Sequence, residues 1–252
     1  MKMKFSIRIF SALSILLAFI STPSLCQQKI VHFEHLTSDN GPSQNSIYCM
    51  LKDHYGLMWF GTQGGLNKFD GYKFTVFTHT INDPKSISSN DINGLCEDKE
   101  GHIWVSTSHA GVSEYIREKI SFDNYQHRLN NPSSLSSNET NLVYADKRGD
   151  VWVGTANGLN LFNKKTKQFT HYSAKANDAS SLSSSFILSL CEDSKGNLWV
   201  GTDSGLNRFN RATGKCVQYL HNASNTASIA SNYINKIFED SYGNFGWEHK
   251  TV

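Results

Sequence analysis

The chain has 252 residues, enough for one large core or one repeat array, and a formal net charge of +2. Its Lys and Arg residues are scattered along the sequence without a basic stripe, which argues against nucleic acid as a partner. Abundant Ser, Asn, Thr, Gly and aromatic residues favour short strands and turns over helices.

Residues 1–26 have the order of a secretory signal peptide. A basic start, an apolar stretch over 9–20 and small residues before a cleavage point at Gln27 follow one another. Lipidation of Cys26 is the rival interpretation, which Pro23 and Leu25 disfavour at their positions in a lipoprotein signal. The apolar stretch is short for a membrane span of roughly 20 residues. The sequence therefore predicts an exported protein, and the periplasm as its location is what the family resemblance given below implies.

One motif recurs four times between residues 53 and 207. It consists of an Asp, a Gly three residues later, a Trp three residues after that, and a second Gly that ends the following turn. The repeated residues are Asp53, Gly56, Trp59, Asp98, Gly101, Trp104, Asp146, Gly149, Trp152, Asp193, Gly196 and Trp199. The Trp residues are 45, 48 and 47 positions apart. A period in the forties with strand-like content is typical of a propeller blade.

Each repeat is predicted to contain four strands, A to D, joined by tight hairpin turns. In the second repeat these strands cover roughly 90–97, 102–108, 111–115 and 119–125. Such up-and-down sheets, placed radially, make an all-β propeller. Residues 27–245 are predicted to form an incomplete propeller of about four complete blades, at 45–78, 90–125, 138–172 and 185–220, with a fifth begun at 232.

The two ends of the repeat array depart from this plan. Residues 30–36 look like a lone strand D, and the fifth repeat places Trp247 four residues after Gly243 instead of three. Residues 246–252 are therefore predicted to be an aberrant tail, after a lone strand A. We expect a truncated product, with further repeats encoded downstream of codon 245.

The repeated residues are predicted to hold the scaffold. One Trp in every strand B is what packing between neighbouring blades needs, although a sugar-stacking platform is the alternative. The turn Asp accepts backbone N–H groups, and the Gly three residues later supplies a positive φ. Asn45, Asn90, Asn138 and Asn232 are predicted to cap the loops that join strand D to the next strand A. The four cysteines of the mature chain show no paired spacing, so we expect Cys96 and Cys191 to be small buried residues.

No pattern of catalytic or metal-ligating residues is found in the sequence. The ten His residues show no paired ligand spacing, and no G-x-S-x-G run occurs. We therefore predict no catalytic residues, no metal and no cofactor. A catalytic propeller, hydrolase or lyase, is the disfavoured alternative.

Positions that differ between repeats are free to recognise a ligand. The turns between strands B and C differ at Gln63, His109, Asn157 and Asp203. These turns are expected to share one face with the loops between strands D and A. The sequence makes that face the candidate ligand site, with ordinary solvated turn residues as the alternative.

The D-x-x-G-x-x-W-[VF]-G-T-x-x-G-L-N runs at 53–67, 146–160 and 193–207, the Ser- and Asn-rich loops and the opening segment 33–45 together resemble the two-component regulator propeller family. The resemblance covers nearly all of 30–245, and the second repeat departs from it at Ser106 and at Val112 and Ser113. It implies the N-terminal periplasmic sensor region of a hybrid two-component histidine kinase, a homodimer with an oligosaccharide ligand, in which the kinase lies outside this chain. A stand-alone periplasmic carbohydrate- or protein-binding propeller and a non-functional truncated product remain as alternatives.

Overall fold

The computed structural model describes residues 35–39 and 41–249. The predicted signal peptide and most of the predicted N-terminal strand D lie outside these residues. The described part of the chain is all-β, with one short 3₁₀ turn at Arg117–Lys119. No helix in this part is long and apolar enough to cross a membrane.

Eighteen strands form four four-stranded sheets and one two-stranded sheet. Blade 1 contains β1 (Cys49–Lys52), β2 (Met58–Thr62), β3 (Gly65–Phe69) and β4 (Phe74–Phe77). Blade 2 contains β5 (Ile92–Glu97), β6 (Ile103–Thr107), β7 (Val112–Ile116) and β8 (Ser121–Tyr125). Blade 3 contains β9 (Thr140–Ala145), β10 (Val151–Thr155), β11 (Gly158–Asn163) and β12 (Gln168–Tyr172). Blade 4 contains β13 (Ile187–Glu192), β14 (Leu198–Thr202), β15 (Gly205–Asn210) and β16 (Lys215–Tyr219), and the fifth sheet contains β17 (Ile234–Glu239) and β18 (Phe245–His249).

Each complete blade is an antiparallel sheet whose strands follow one another in chain order. The predicted all-β propeller blades are confirmed, and the four strands expected in the second repeat match β5 to β8. Both turn glycines of each repeat have a positive φ, as Gly101 (83°) and Gly111 (74°) show in blade 2. A residue with a Cβ adopts this conformation at a cost, so the glycines fix the hairpins at these points.

Neighbouring blades pack through their inner strands, and each hydrophobic core spans two blades. Trp59 of blade 1 is fully buried against Ile92, Ile103 and Tyr115 of blade 2. Trp104 packs in the same way in the core shared by blades 2 and 3, and Trp152 in that of blades 3 and 4. Truncating such a Trp to Ala costs about 3–5 kcal/mol. The buried tryptophans therefore fill the space between blades.

Blade 2 departs from the repeat at Ser106, and the residue opposite it compensates. In the other blades this position is glycine. A Cβ there would collide with residues of strand A from the same blade and from the next blade. Gly94 lies opposite Ser106 in the ladder, whereas in blade 4 Ser189 lies opposite Gly201. The two blades thus use the same Ser and Gly pair in exchanged positions.

The fifth sheet corrects the expectation of a lone strand A. Residues 245–249 pair with Ile234–Glu239 as a second strand in the same ladder register as blade 4, but the Trp stands one position later in this strand. Gly246 lies opposite Phe238, the place that Trp occupies in the complete blades, and Trp247 lies opposite Ile237. A shift of one residue turns a strand side chain to the other face of the sheet.

Candidate functional site

The end of each blade that carries the A–B and C–D turns, here called the lower end, is built around the repeated Asp and Trp. Asp53 Oδ1 accepts the backbone N–H groups of Tyr55 and Leu57 at 3.0 and 2.9 Å. Its Oδ2 accepts the indole N–H of Trp59 at 2.8 Å. Asp98, Asp146 and Asp193 bind Trp104, Trp152 and Trp199 in the same way, at 2.9–3.0 Å. The carboxylate thus closes the hairpin and fixes the Trp ring.

A basic residue of the following blade completes this arrangement between blades. Arg117 Nη2 lies 2.6 Å from Asp53 Oδ2, and Arg211 Nε lies 3.0 Å from Asp146 Oδ2. Lys164 Nζ lies 3.4 Å from Asp98 Oδ2. Sequence reasoning missed these bridges. The available signal was a basic residue twelve or thirteen positions after the Trp of its own blade.

These partners shift the titration of the turn carboxylates. Burial by itself raises the pKa of Asp53, but the hydrogen bonds from Trp59 and Arg117 outweigh it and hold that pKa below its ordinary value. The pKa values of Asp98 and Asp193 are lowered against burial in the same way, first by the indole N–H. The lower end therefore holds ionised, paired carboxylates.

Asp98, His102 and Glu114 bring three possible metal-ligand atoms within 4.8 Å of one another. The carboxylate oxygens of Asp98 and Glu114 already accept bonds from the protein. Glu114 faces His102 Nδ1 at 2.8 Å and accepts bonds from Tyr125 Oη at 2.8 Å and Lys167 Nζ at 3.1 Å. Since Lys167 and Lys164 supply positive charge from blade 3, this cluster joins blades 2 and 3 and does not fit a resident ion.

The opposite end, here called the upper end, carries the B–C turns and the D–A loops. The predicted loop caps are confirmed: Asn90, Asn138 and Asn232 each accept the backbone N–H of a His eleven positions earlier, at 2.6–2.7 Å. The predicted sharing of one face is confirmed as well. Gly65 and Gly111 of the B–C turns donate their N–H groups to Asn90 and Asn138 of the loops, both at 3.0 Å.

The four candidate ligand residues all occupy exposed positions at the tips of these turns. Asn157 is partly held, because its Nδ2 donates to Ser136 O at 3.3 Å. Asp203 Oδ1 accepts the hydroxyl of Ser204 at 3.1 Å. Gln63 and His109 lie on the equivalent turns of blades 1 and 2. Each residue belongs to a different blade, so no blade contributes two of them.

A second variable position lies beside these turns and was not predicted. It is the residue that follows the loop Asn, or Ser185 in blade 4, and lies before strand A. Its occupants are Ser46, Asp91, Glu139, Phe186 and Tyr233. The carbonyl of Asp91 accepts the N–H of Ser108 at 3.1 Å, and that of Glu139 accepts the N–H of Ala156 at 3.0 Å. The sequence did carry a signal for this position, because the residue type there differs from repeat to repeat while its neighbour in the loop is usually Asn.

The cysteines form no disulfide in the described part of the chain. Burial raises the pKa of the Cys49 and Cys216 thiols to about 12. Burial also raises the pKa of Cys96 and Cys191 above the ordinary range. These thiols stay protonated at neutral pH and are weak nucleophiles.

Comparison with known proteins finds one match to a family model in each of the four blades. Residues 41–64, 86–109, 134–157 and 181–204 match the family described as two component regulator propeller. Histidine kinase P4 of Formosa agariphila is 38% identical over 83 residues, which are 33% of this chain and 6% of that kinase.

Two solved structures show the same fold. The extracellular domain of a hybrid two component system from B. thetaiotaomicron has 23% identity and a TM-score of 0.55, over 86% of this chain and 40% of that domain. Virginiamycin B lyase from Staphylococcus aureus has 11% identity and a TM-score of 0.59, over 83% of this chain and 66% of the lyase.

The chain thus spans less than half of the curated kinase and of the extracellular domain that it matches. Each matched family segment runs from a D–A loop through strands A and B into the B–C turn of one blade. Together, the four matches and the four blades show that this chain carries four two-component regulator propeller repeats, which form the blades of an incomplete propeller.

Proposed function

We propose that this chain is the extracytoplasmic, ligand-sensing propeller of a hybrid two-component sensor histidine kinase that detects an oligosaccharide. In this proposal the chain is exported by its signal peptide, acts with the rest of the kinase and has no catalytic activity of its own. One observation carries the proposal: the lower end repeats from blade to blade, whereas the exposed tips at the upper end differ in every blade.

The chemistry of the upper end suits a sugar. Gln63 and Asn157 offer amides, Asp203 and Glu139 offer carboxylates, and His109 offers an imidazole, all able to bond hydroxyl groups. Phe186 is 36% exposed and offers a ring face for stacking.

The positions that carry these groups are fixed by the backbone. The B–C turns of blades 1 to 3 are each bound to the D–A loop that follows them, so their tips and the variable loop residues form one surface. A ligand that covers two neighbouring tips would therefore meet two blades at once.

Titration calorimetry tests the proposal directly. Gluco-, manno-, xylo- and galacturono-oligosaccharides are titrated into the wild-type chain and into the variant His109→Ala/Asn157→Ala. Loss of two hydrogen bonds to a bound sugar is expected to weaken binding about tenfold. The matched control is Lys99→Ala/Lys195→Ala, which changes two exposed turn residues at the lower end.

Binding of one oligosaccharide that the upper variant weakens and the control does not supports the proposal. Equal binding by all three proteins would move the site away from the upper end. Failure of every sugar to bind would refute the oligosaccharide ligand. The homodimer stays a separate prediction, which sedimentation analysis of the chain with and without sugar checks.

A further inference from the structure

A polar cavity of about 520 Å³ lies at the lower end of blade 4. Four cationic side chains line it: Arg148, Arg208, Arg211 and Lys215. None of the described residues that line this cavity is an Asp or a Glu. Arg148 comes from the A–B turn of blade 3, and the other three come from β15, the C–D turn and β16 of blade 4.

A smaller residue in blade 4 leaves room for this cavity. Phe74, Phe122 and Phe169 occupy one register position at the start of strand D in blades 1 to 3. Cys216 occupies that position in blade 4, opposite Phe209, and it lines the cavity. Blade 4 therefore lacks an aromatic ring at the position around which the four cationic side chains lie.

Only one of the four cations is paired. Arg211 donates from Nε to Asp146 and from Nη1 to Gly196 O at 2.7 Å, and its buried Nη2 lies 3.2 Å from Glu192 Oε1 without a hydrogen bond. Arg148, Arg208 and Lys215 are exposed and have no ion pair with any described residue.

We propose that this cavity binds an oxyanion of the phosphate or sulfate class. A guanidinium presents paired N–H donors that match the oxygen atoms of such a group, and bonds of this kind are stronger than neutral ones. Three unpaired cations around one cavity repel each other, and a bound dianion offsets that repulsion.

The surroundings of the cavity favour the same ligand. Eight exposed basic residues lie in the A–B and C–D turns of blades 1 to 4: Lys73, Lys99, Lys119, Lys147, Arg148, Lys165, Lys167 and Lys195. Only three exposed acidic residues are found in the same described turns: Asp70, Glu100 and Glu118. Among the exposed side chains of these turns the basic residues therefore outnumber the acidic ones, and salt screens their attraction for an anion over about 10 Å at 0.1 M.

The oxyanion site is independent of the sugar-sensing proposal, because it lies at the opposite end of the blades. Its ligand has two possible sources, a free anion such as inorganic phosphate or the headgroup of an anionic phospholipid. The two share the oxyanion group and differ in whether a membrane surface is needed.

Calorimetry with sodium phosphate and sodium sulfate at low ionic strength tests the site. Two variants are compared with the wild type. Arg148→Gln/Arg208→Gln removes charge from exposed positions, and Cys216→Phe restores the residue of the other blades and fills the cavity with its charges intact. Each is expected to weaken binding at least about tenfold, the equivalent of losing one charged hydrogen bond. The control Lys99→Gln/Lys195→Gln keeps wild-type binding.

Flotation with phosphatidylcholine vesicles, with and without phosphatidylglycerol, separates the two sources. Flotation only with phosphatidylglycerol, lost in the double Arg variant, assigns the site to a lipid headgroup. Phosphate or sulfate binding without flotation assigns it to a free anion. The proposal is overturned if the wild type binds neither anion nor vesicle, or if Arg148→Gln/Arg208→Gln binds as tightly as the wild type. Tryptophan fluorescence establishes that each variant is folded, and the double Arg variant decides the outcome if Cys216→Phe does not fold.

Discussion

The exchanged Ser and Gly pair of blades 2 and 4 leads to a sharp prediction about blade 2. A Cβ added at Gly94 would lie 2.8 Å from Ser106 Oγ, whereas its next neighbour, Leu142 Cα, lies at an ordinary 3.4 Å. Gly94 does not have a positive φ, so its backbone accepts a side chain. The clash therefore comes from Ser106 alone. We expect Gly94→Ser to lower the free energy of unfolding by about 1–3 kcal/mol, the usual cost of overpacking a strand core.

Ser106→Gly is expected to change stability by less than about 1 kcal/mol. It removes a buried hydroxyl that has no hydrogen-bond partner, which offsets the entropic cost of glycine. The double variant Gly94→Ser/Ser106→Gly reproduces the pair of Ser189 and Gly201 in blade 4, so it should recover most of the loss.

Urea unfolding followed by tryptophan fluorescence measures all four proteins of this double-mutant cycle. We expect a coupling energy of about 1 kcal/mol or more between the two positions. If the double variant is as unstable as Gly94→Ser, the two residues are independent and the packing argument is refuted.

Three further predictions concern the lower end and the turns. Asp146→Asn should cost about 1.5–3 kcal/mol, because Arg211 loses a charged acceptor, whereas Asp70→Asn on the exposed C–D turn should leave the urea midpoint unchanged. The folded pKa of Asp53 lies below its ordinary value of 3.8, so its contribution to stability is complete above about pH 4 and is lost as pH falls through the folded pKa. The urea midpoint should therefore be constant from neutral pH down to about pH 4 and should decrease below it. The decrease should be smaller in Asp53→Asn. Gly158→Ala should cost about 1–3 kcal/mol, measured by the same unfolding assay, because φ is +119° and the added Cβ would lie 2.7 Å from Tyr172 O.

Most of the fold could be predicted because the residues that form the turns recur at the same spacing in every blade. The spacing from Asp53 through Gly56 to Trp59 fixes one hairpin, and its recurrence fixes the order of strands in every later blade. The fifth sheet could not be predicted in this way. Strand β18 pairs with β17 through backbone hydrogen bonds, although its Trp stands one position later than in the complete blades. Backbone hydrogen bonds do not require the side-chain pattern from which the strands were predicted.

The candidate site was predictable only in part. Variation between repeats identified His109 and Asn157, which are exposed, but it did not identify Asp91 and Glu139, which backbone bonds to Ser108 and Ala156 hold beside the B–C turns of their own blades. The ion pairs of Arg117 and Arg211 escaped prediction because they connect different blades. Each joins residues about 65 positions apart, and only the stacking of blades brings them together.

The acceptor positions of the repeated carboxylates at the lower end are filled by the protein itself. An ionised carboxylate has about four acceptor positions. Asp146 uses all four within the protein, for the N–H groups of Arg148 and Asp150, the indole of Trp152 and the guanidinium of Arg211. Asp193 has no such cation among the described residues, and the amide of its own turn residue, Asn197, supplies the fourth bond.

The repeated carboxylates are therefore saturated in every complete blade, whether or not a neighbouring blade provides a cation. A ligand that approached them would have to break a bond that holds a hairpin or a buried Trp. The turn tips at the other end face no such conflict, because their backbone is held by loop carbonyls while the side chains of Gln63 and His109 stay exposed. If a ligand binds at these tips, as proposed, a substitution there changes the binding surface without breaking a bond that holds a hairpin or a buried Trp.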